Sequence, residues 1–140
     1  MEEINYLSLL LATLVPIGVG FIYYQKGLLG KQWASTITIP KEDRIQYHPI
    51  VLFIMSFAVC FVMSFFLLQF CNGEGQEEQY DTFAHGAWHG LVLCIFIIIP
   101  ISITSVLYNE RTWKNMLINA GYWLITLPIM GGILGAMNHF

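Results

Sequence analysis

The sequence predicts an all-α membrane protein, a polytopic bundle of four transmembrane helices with the N-terminus and C-terminus both outside. Three observations carry this. Of 140 residues, 56% are hydrophobic and 11% charged, with a mean hydropathy of +0.63, whereas soluble domains are about 45–50% apolar and about 25% charged. So small a core cannot hide that much apolar surface, and lipid must solvate the rest. The apolar residues fall in four runs, each near the roughly 20 residues that cross about 30 Å of hydrocarbon. Finally, all six Lys and Arg sit in two of the three connections between those runs.

The predicted helices span about 4–24, 49–70, 83–108 and 115–137, within a single domain over 1–140. No permanently charged side chain falls inside them. In lipid each segment must satisfy its own backbone hydrogen bonds, so helices are expected. Transmembrane strands would be about half as long and alternate in polarity. The first run is expected to be retained, because Met1-Glu2-Glu3 lacks the basic start of a secretory signal and no small-residue cleavage site follows.

The connections set the orientation. Residues 25–48 hold Lys26, Lys31, Lys41 and Arg44, with Pro40 as a breaker, and residues 109–114 hold Arg111 and Lys114. Residues 71–81 are acidic, with Glu74, Glu77, Glu78 and Asp81 and no Lys or Arg. Short basic loops stay cytoplasmic. Tyr6, Tyr23, Tyr24, Trp33, Tyr47, Tyr80, Trp88, Tyr108 and Trp113 fall near the predicted helix ends, where amphipathic rings favour the membrane interface.

Helices in lipid gain little from hydrophobicity when they associate, so small residues that admit a close approach matter. Gly86 and Gly90 on the third helix and Gly131 and Gly135 on the fourth form two such pairs at similar depth, with Gly132 and Ala136 alongside. Ser56, Cys60 and Ser64 mark a further seam on the second helix. Pro16, Pro100 and Pro128 lie inside helices and are expected to kink them for packing. Asn115, Asn119, Tyr122 and Thr126 share one face of the fourth helix. That polar stripe is expected to face inward, where Ser102 and Ser105 of the third helix could meet it.

Candidate chemistry is sparse. Asp81, His85 and His89 are spaced four apart, and two imidazoles with a carboxylate can bind a divalent metal such as zinc. Glu77, Glu78 and His139 could lie on the same side of the membrane. The plain alternative is a set of solvated interfacial groups, and no cofactor is assigned. Cys60, Cys71 and Cys94 show no CxxC spacing. HExxH, GxSxG and phosphate-loop motifs are absent, so no enzymatic activity is expected. The basic connection is interrupted by Glu42 and Asp43 and reads as a topology signal rather than a nucleic-acid surface.

Several segments together resemble the bacterial membrane-protein family known as domain of unknown function 1761. They are Gly20-Phe21-Ile22-Tyr23-Tyr24 with Gly30-Lys31-Gln32-Trp33, then Leu107-Tyr108-Asn109-Glu110-Arg111. Leu117-Ile118-Asn119-Ala120-Gly121-Tyr122-Trp123 and Met130-Gly131-Gly132-Ile133-Leu134-Gly135 complete the set. The resemblance implies a small four-helix protein of a bacterial cytoplasmic membrane and supplies no activity. His85 and His89 stand outside its pattern. Function is therefore expected to be non-catalytic, as a homo-oligomer or an accessory subunit of a membrane complex in the lipid bilayer. The alternative is a small oligomeric channel or transporter with a polar path along the Asn119 face. A metal-dependent enzyme at the outer surface would rest on the two histidines alone.

Overall fold

The computed structural model describes residues 4–71 and 82–137, and these are helical with no strand among them. Helix α1 is Tyr6–Tyr23, the short α2 is Gly30–Ala34, and a 3-10 turn covers Lys41–Asp43. Helix α3 is Pro49–Cys71. Helices α4 (Phe83–Leu93) and α5 (Ile99–Leu107) are joined without a break by a π-turn over Cys94–Ile98. Helix α6 is Trp113–Ala136. Four spans, Tyr6–Tyr23, Pro49–Cys71, Phe83–Leu107 and Trp113–Ala136, are long and apolar enough to cross a membrane.

Side-chain caps set several of the helix starts. The Asn5 side-chain oxygen accepts from Leu7 N and Ser8 N, that of Thr82 from His85 N, and that of Thr112 from Asn115 N. Each satisfies donors that the first turn leaves open. Helix α5 ends in a Schellman motif. Asn109 adopts a left-handed φ of 61°, Asn109 N donates to Val106 O, and Glu110 N donates to Ser105 O. The π-turn has a local cause. Pro100 has no N–H for the carbonyl four residues earlier and its ring crowds that carbonyl. Widening the preceding turn, with Ile99 N bonded to Cys94 O, carries the helix around the obstruction.

Helix α6 is the hub. Half of its span is buried, against 28% for α1 and 17% each for α3 and the α4–α5 span, and it touches every other helix. Chain direction alternates. Asn5 Nδ2 donates to Met137 O at 2.6 Å at one end, and Tyr24 meets Asn119 at the other, so α1 and α6 run antiparallel. The first end joins the tips of α3 and α4. The second gathers the basic connections and is called here the basic end.

The two ends are packed differently. Away from the basic end, the core joins Leu9 and Ala12 of α1, Leu67, Leu68 and Cys71 of α3, Cys94, and Leu127, Met130 and Leu134 of α6. The tightest joint is α4 on α6. A Cβ added to Gly86 would strike Gly131 O, one on Gly90 would strike Leu127 O, and one on Gly135 would lie 2.8 Å from Thr82 O. Backbone meets backbone there, which in lipid substitutes dispersion contact for the missing hydrophobic drive. On α3 the buried residues are Cys60, Ser64, Leu67, Leu68 and Cys71, one helical stripe; Ser56 is only half-buried. Towards the basic end α1 and α3 leave a groove between them.

Candidate functional site

Behind α1 the chain doubles back. Leu29 N donates to Tyr23 O and Gly30 N to Gln25 O, and any Cβ at position 30 would collide with Tyr24 O. Gly30 thus permits the turn that lays α2 across the end of the bundle. The Trp33 ring comes to 5.4 Å from Tyr24, and Tyr24 to 5.4 Å from Tyr122. Trp123 stands 4.8 Å from Tyr122. Gly121 clears room for Tyr23, whose hydroxyl donates to Ile118 O at 2.8 Å.

A directed chain of hydrogen bonds runs beneath these rings. Tyr24 OH donates to Asn119 Oδ1 at 2.6 Å. Asn119 Nδ2 donates to Asn115 Oδ1 at 2.8 Å, and Asn115 Nδ2 to Thr36 Oγ1 at 2.7 Å. The Thr36 hydroxyl closes the chain on Trp33 O at 2.6 Å. Further along α6, Tyr122 OH donates to Pro16 O at 2.6 Å and Thr126 Oγ1 to Tyr122 O at 2.7 Å. The polar stripe Asn115, Asn119, Tyr122 and Thr126 therefore faces protein. Its partners on other elements, Tyr24, Thr36 and Pro16 O, come from α1 and the segment after it, not from the serines of α5. Ser102 donates instead to Ile98 O at 2.7 Å, the back-bond that a serine makes inside a helix.

Two cavities flank the aromatic group. An apolar groove of about 840 Å³ runs between α1 and α3, lined by residues such as Ile17, Gly20, Phe21, Leu52, Phe53 and Val59. A second cavity of about 610 Å³ is polar, with Thr36, Thr38, Ser102, Glu110, Arg111, Asn115 and Asn119 on its walls. Tyr24, Trp33, Tyr122 and Trp123 line both. Both volumes fall in the range of about 300–1,000 Å³ typical of small-molecule sites. The Schellman turn at Asn109 places Glu110 and Arg111 at the polar mouth.

The histidines lie far along the bundle, on α4. His85 Nε2 and His89 Nε2 are 2.9 Å apart, a hydrogen-bond distance with the rings edge to face. Two imidazoles give two of the four ligands that a structural zinc takes. Among the described residues no three His, Cys, Asp or Glu side chains gather into a metal-binding group. Asp81, Glu77, Glu78 and His139 lie outside the described residues. Cys60, Cys71 and Cys94 are buried, and Cys71 Sγ lies 3.9 Å from Gly131 O, to which it donates.

Reasoning from sequence missed the crevice itself. Its signals were present: Tyr24, Trp33, Asn119, Gly121, Tyr122 and Trp123 all belong to the segments that carry the family resemblance. What periodicity could not reveal is that residues 25–36 fold back to meet them.

The family described as "Protein of unknown function (DUF1761)" matches residues 7–135. No curated protein and no solved structure matches the chain.

Proposed function

The chain belongs to the DUF1761 family of proteins of unknown function, and on that premise we propose a non-catalytic role in the membrane, as an oligomer or as an accessory subunit of a larger assembly. The observation that supports this reading most is how the polar stripe of α6 is spent. Asn115, Asn119, Tyr122 and Thr126 all donate to groups of the same chain, which leaves them as structural ties. The other helices meanwhile turn most of their apolar surface outward, α3 and the α4–α5 span most of all, with only 17% of each span buried. That surface suits lipid or the helices of a partner. The family resemblance favours a bacterial cytoplasmic membrane, and the basic connections favour both termini outside.

Gentle detergent extraction followed by native mass spectrometry tests the proposal. A defined multimer or a stoichiometric partner is expected; repeated isolation of the monomer alone would overturn it.

A second reading, a small channel or transporter, draws on the polar cavity beside Asn119. Beyond it the path narrows to Tyr122 and Thr126, which are 8% and 0% exposed. Single cysteines at 115, 119 and 126 separate the two readings. A continuous water path requires all three to react with a water-soluble thiol reagent. The non-catalytic reading expects Thr126→Cys to stay protected.

A further inference from the structure

The two cavities at the basic end share a wall, and their chemistry differs across it. One is bounded by aliphatic and aromatic side chains, with Ser56 and Cys60 among them, between two membrane-spanning helices. The other holds a carboxylate, a guanidinium, two amides and the aliphatic hydroxyls of Thr36, Thr38 and Ser102. A molecule that filled both would carry a hydrocarbon chain at one end and a polar, charged head at the other. The partition follows the membrane, since the groove lies along the apolar lengths of α1 and α3 and the polar cavity lies where those helices end.

The charges narrow the choice of head group. Glu110 and Arg111 are adjacent, both exposed at the polar mouth, and neither is engaged in an ion pair among the described residues. An anionic head would satisfy the guanidinium and be repelled by the carboxylate. A head with a phosphate and a primary amine meets both. The phosphate accepts from Arg111, whose planar fork suits it, and the ammonium donates to Glu110. We propose that the paired cavities form a binding site for one zwitterionic phospholipid of the ethanolamine type, its head group at Glu110 and Arg111 and an acyl chain in the groove between α1 and α3.

The aromatic wall has a defined part in this arrangement. Trp33, Trp123, Tyr24 and Tyr122 stand where the head joins the chains, the depth at which amphipathic rings are most stable. Tyr24 and Tyr122 direct their hydroxyls into the protein, to Asn119 and to Pro16 O, and their rings are left to bound the lipid. The hydrogen-bonded chain from Tyr24 to Thr36 holds this wall in place before any lipid arrives. The inference extends the non-catalytic reading, and its test does not depend on whether a protein partner exists.

The two crevice tryptophans give a direct readout. The full chain, carrying Trp88→Phe and Trp113→Phe, is placed in phosphatidylcholine nanodiscs. Phosphatidylethanolamine, phosphatidylglycerol or phosphatidylcholine with the same bromine-labelled acyl chain is then added at rising mole fraction. Bromine quenches indole fluorescence on contact. Half-maximal quenching is expected at a mole fraction about threefold lower for the ethanolamine lipid than for either other, the scale of one solvent-exposed charge pair. Glu110→Gln should remove the advantage of the ethanolamine lipid, Arg111→Gln should move all three curves to higher mole fraction, and both should leave the melting temperature unchanged. Identical curves in the parent chain, strongest quenching there by the glycerol lipid, an ethanolamine preference that survives Glu110→Gln, or curves unmoved by Arg111→Gln would each overturn the proposal. So would the absence of quenching together with cross-linking of Phe53→Cys between chains, which would place a second copy in the groove.

Discussion

At the scale of single residues, the bundle is held by a few hydrogen bonds of high local consequence. Tyr24, Asn119, Asn115 and Thr36 act in series, so each fixes the orientation of the next. In a double-mutant cycle, Tyr24→Phe and Asn119→Ala should couple by about 0.6–1.7 kcal/mol, the range for interhelical hydrogen bonds in membranes. The measurement is unfolding in detergent, and purely additive effects would show that the bond contributes nothing. Ser64 makes the opposite case. Its side chain is fully buried and its Oγ has no partner among the described residues. An unsatisfied buried hydroxyl costs about 1–3 kcal/mol, so Ser64→Ala should leave stability unchanged or raise it by up to about that amount. A clear loss would mean that the hydroxyl is bonded after all.

At the scale of elements, the joint between α4 and α6 decides how closely the helices can sit. Gly86→Ala places a methyl on Gly131 O, where the obstruction is backbone and cannot swing aside. Overpacking of this kind costs typically about 1–3 kcal/mol, and thermal unfolding in detergent should register a loss of that size. Gly18→Ala is the matched control, because nothing lies within 4 Å of the added atom and alanine favours a helix by up to about 1 kcal/mol. Equal stability of the two variants would show that the joint is not formed. The spans were legible from sequence because length and hydropathy alone set what can cross hydrocarbon, and Gly86 and Gly131 stood out through their spacing. The π-turn at Cys94–Ile98 was not legible. Pro100 announced a disturbance, yet whether a helix answers with a kink or a widened turn depends on what packs beside it, here the buried Cys94 against the α6 core. Residues 25–36 were equally opaque. Their five-residue helix gains its stability from contact with α6, through Thr36 on Asn115, and short helices have little stability of their own.

At the scale of the whole molecule, the fold is a hub with three outer spans, closed at one end and open at the other. Periodicity could not show that α6 would be the hub, because all four helices are apolar around most of their circumference. The polar stripe was the available hint, since only the fourth run carries four hydrogen-bonding side chains on one face. Orientation follows from a different property. Six basic residues occupy the two connections at the basic end, against none in the acidic connection or at either terminus. Short basic loops resist translocation, so the open end, with Glu110 and Arg111 at its mouth, should face the cytoplasmic leaflet. A reporter active only outside the cytoplasm should therefore work when fused after Phe140 and fail when inserted between Ile39 and Arg44. If charge rather than helix order sets this outcome, exchanging it should invert the protein. Glu2→Lys and Glu3→Lys, combined with Lys26→Gln, Lys31→Gln and Lys41→Gln, should move a fraction of chains to the opposite topology, read as reporter activity lost at Phe140 and gained in the 25–48 connection. A chain that keeps its orientation after that exchange would show that the three remaining cations, Arg44, Arg111 and Lys114, suffice to anchor it. A chain whose unmodified C-terminus reports from the cytoplasm would place the polar mouth in the outer leaflet instead.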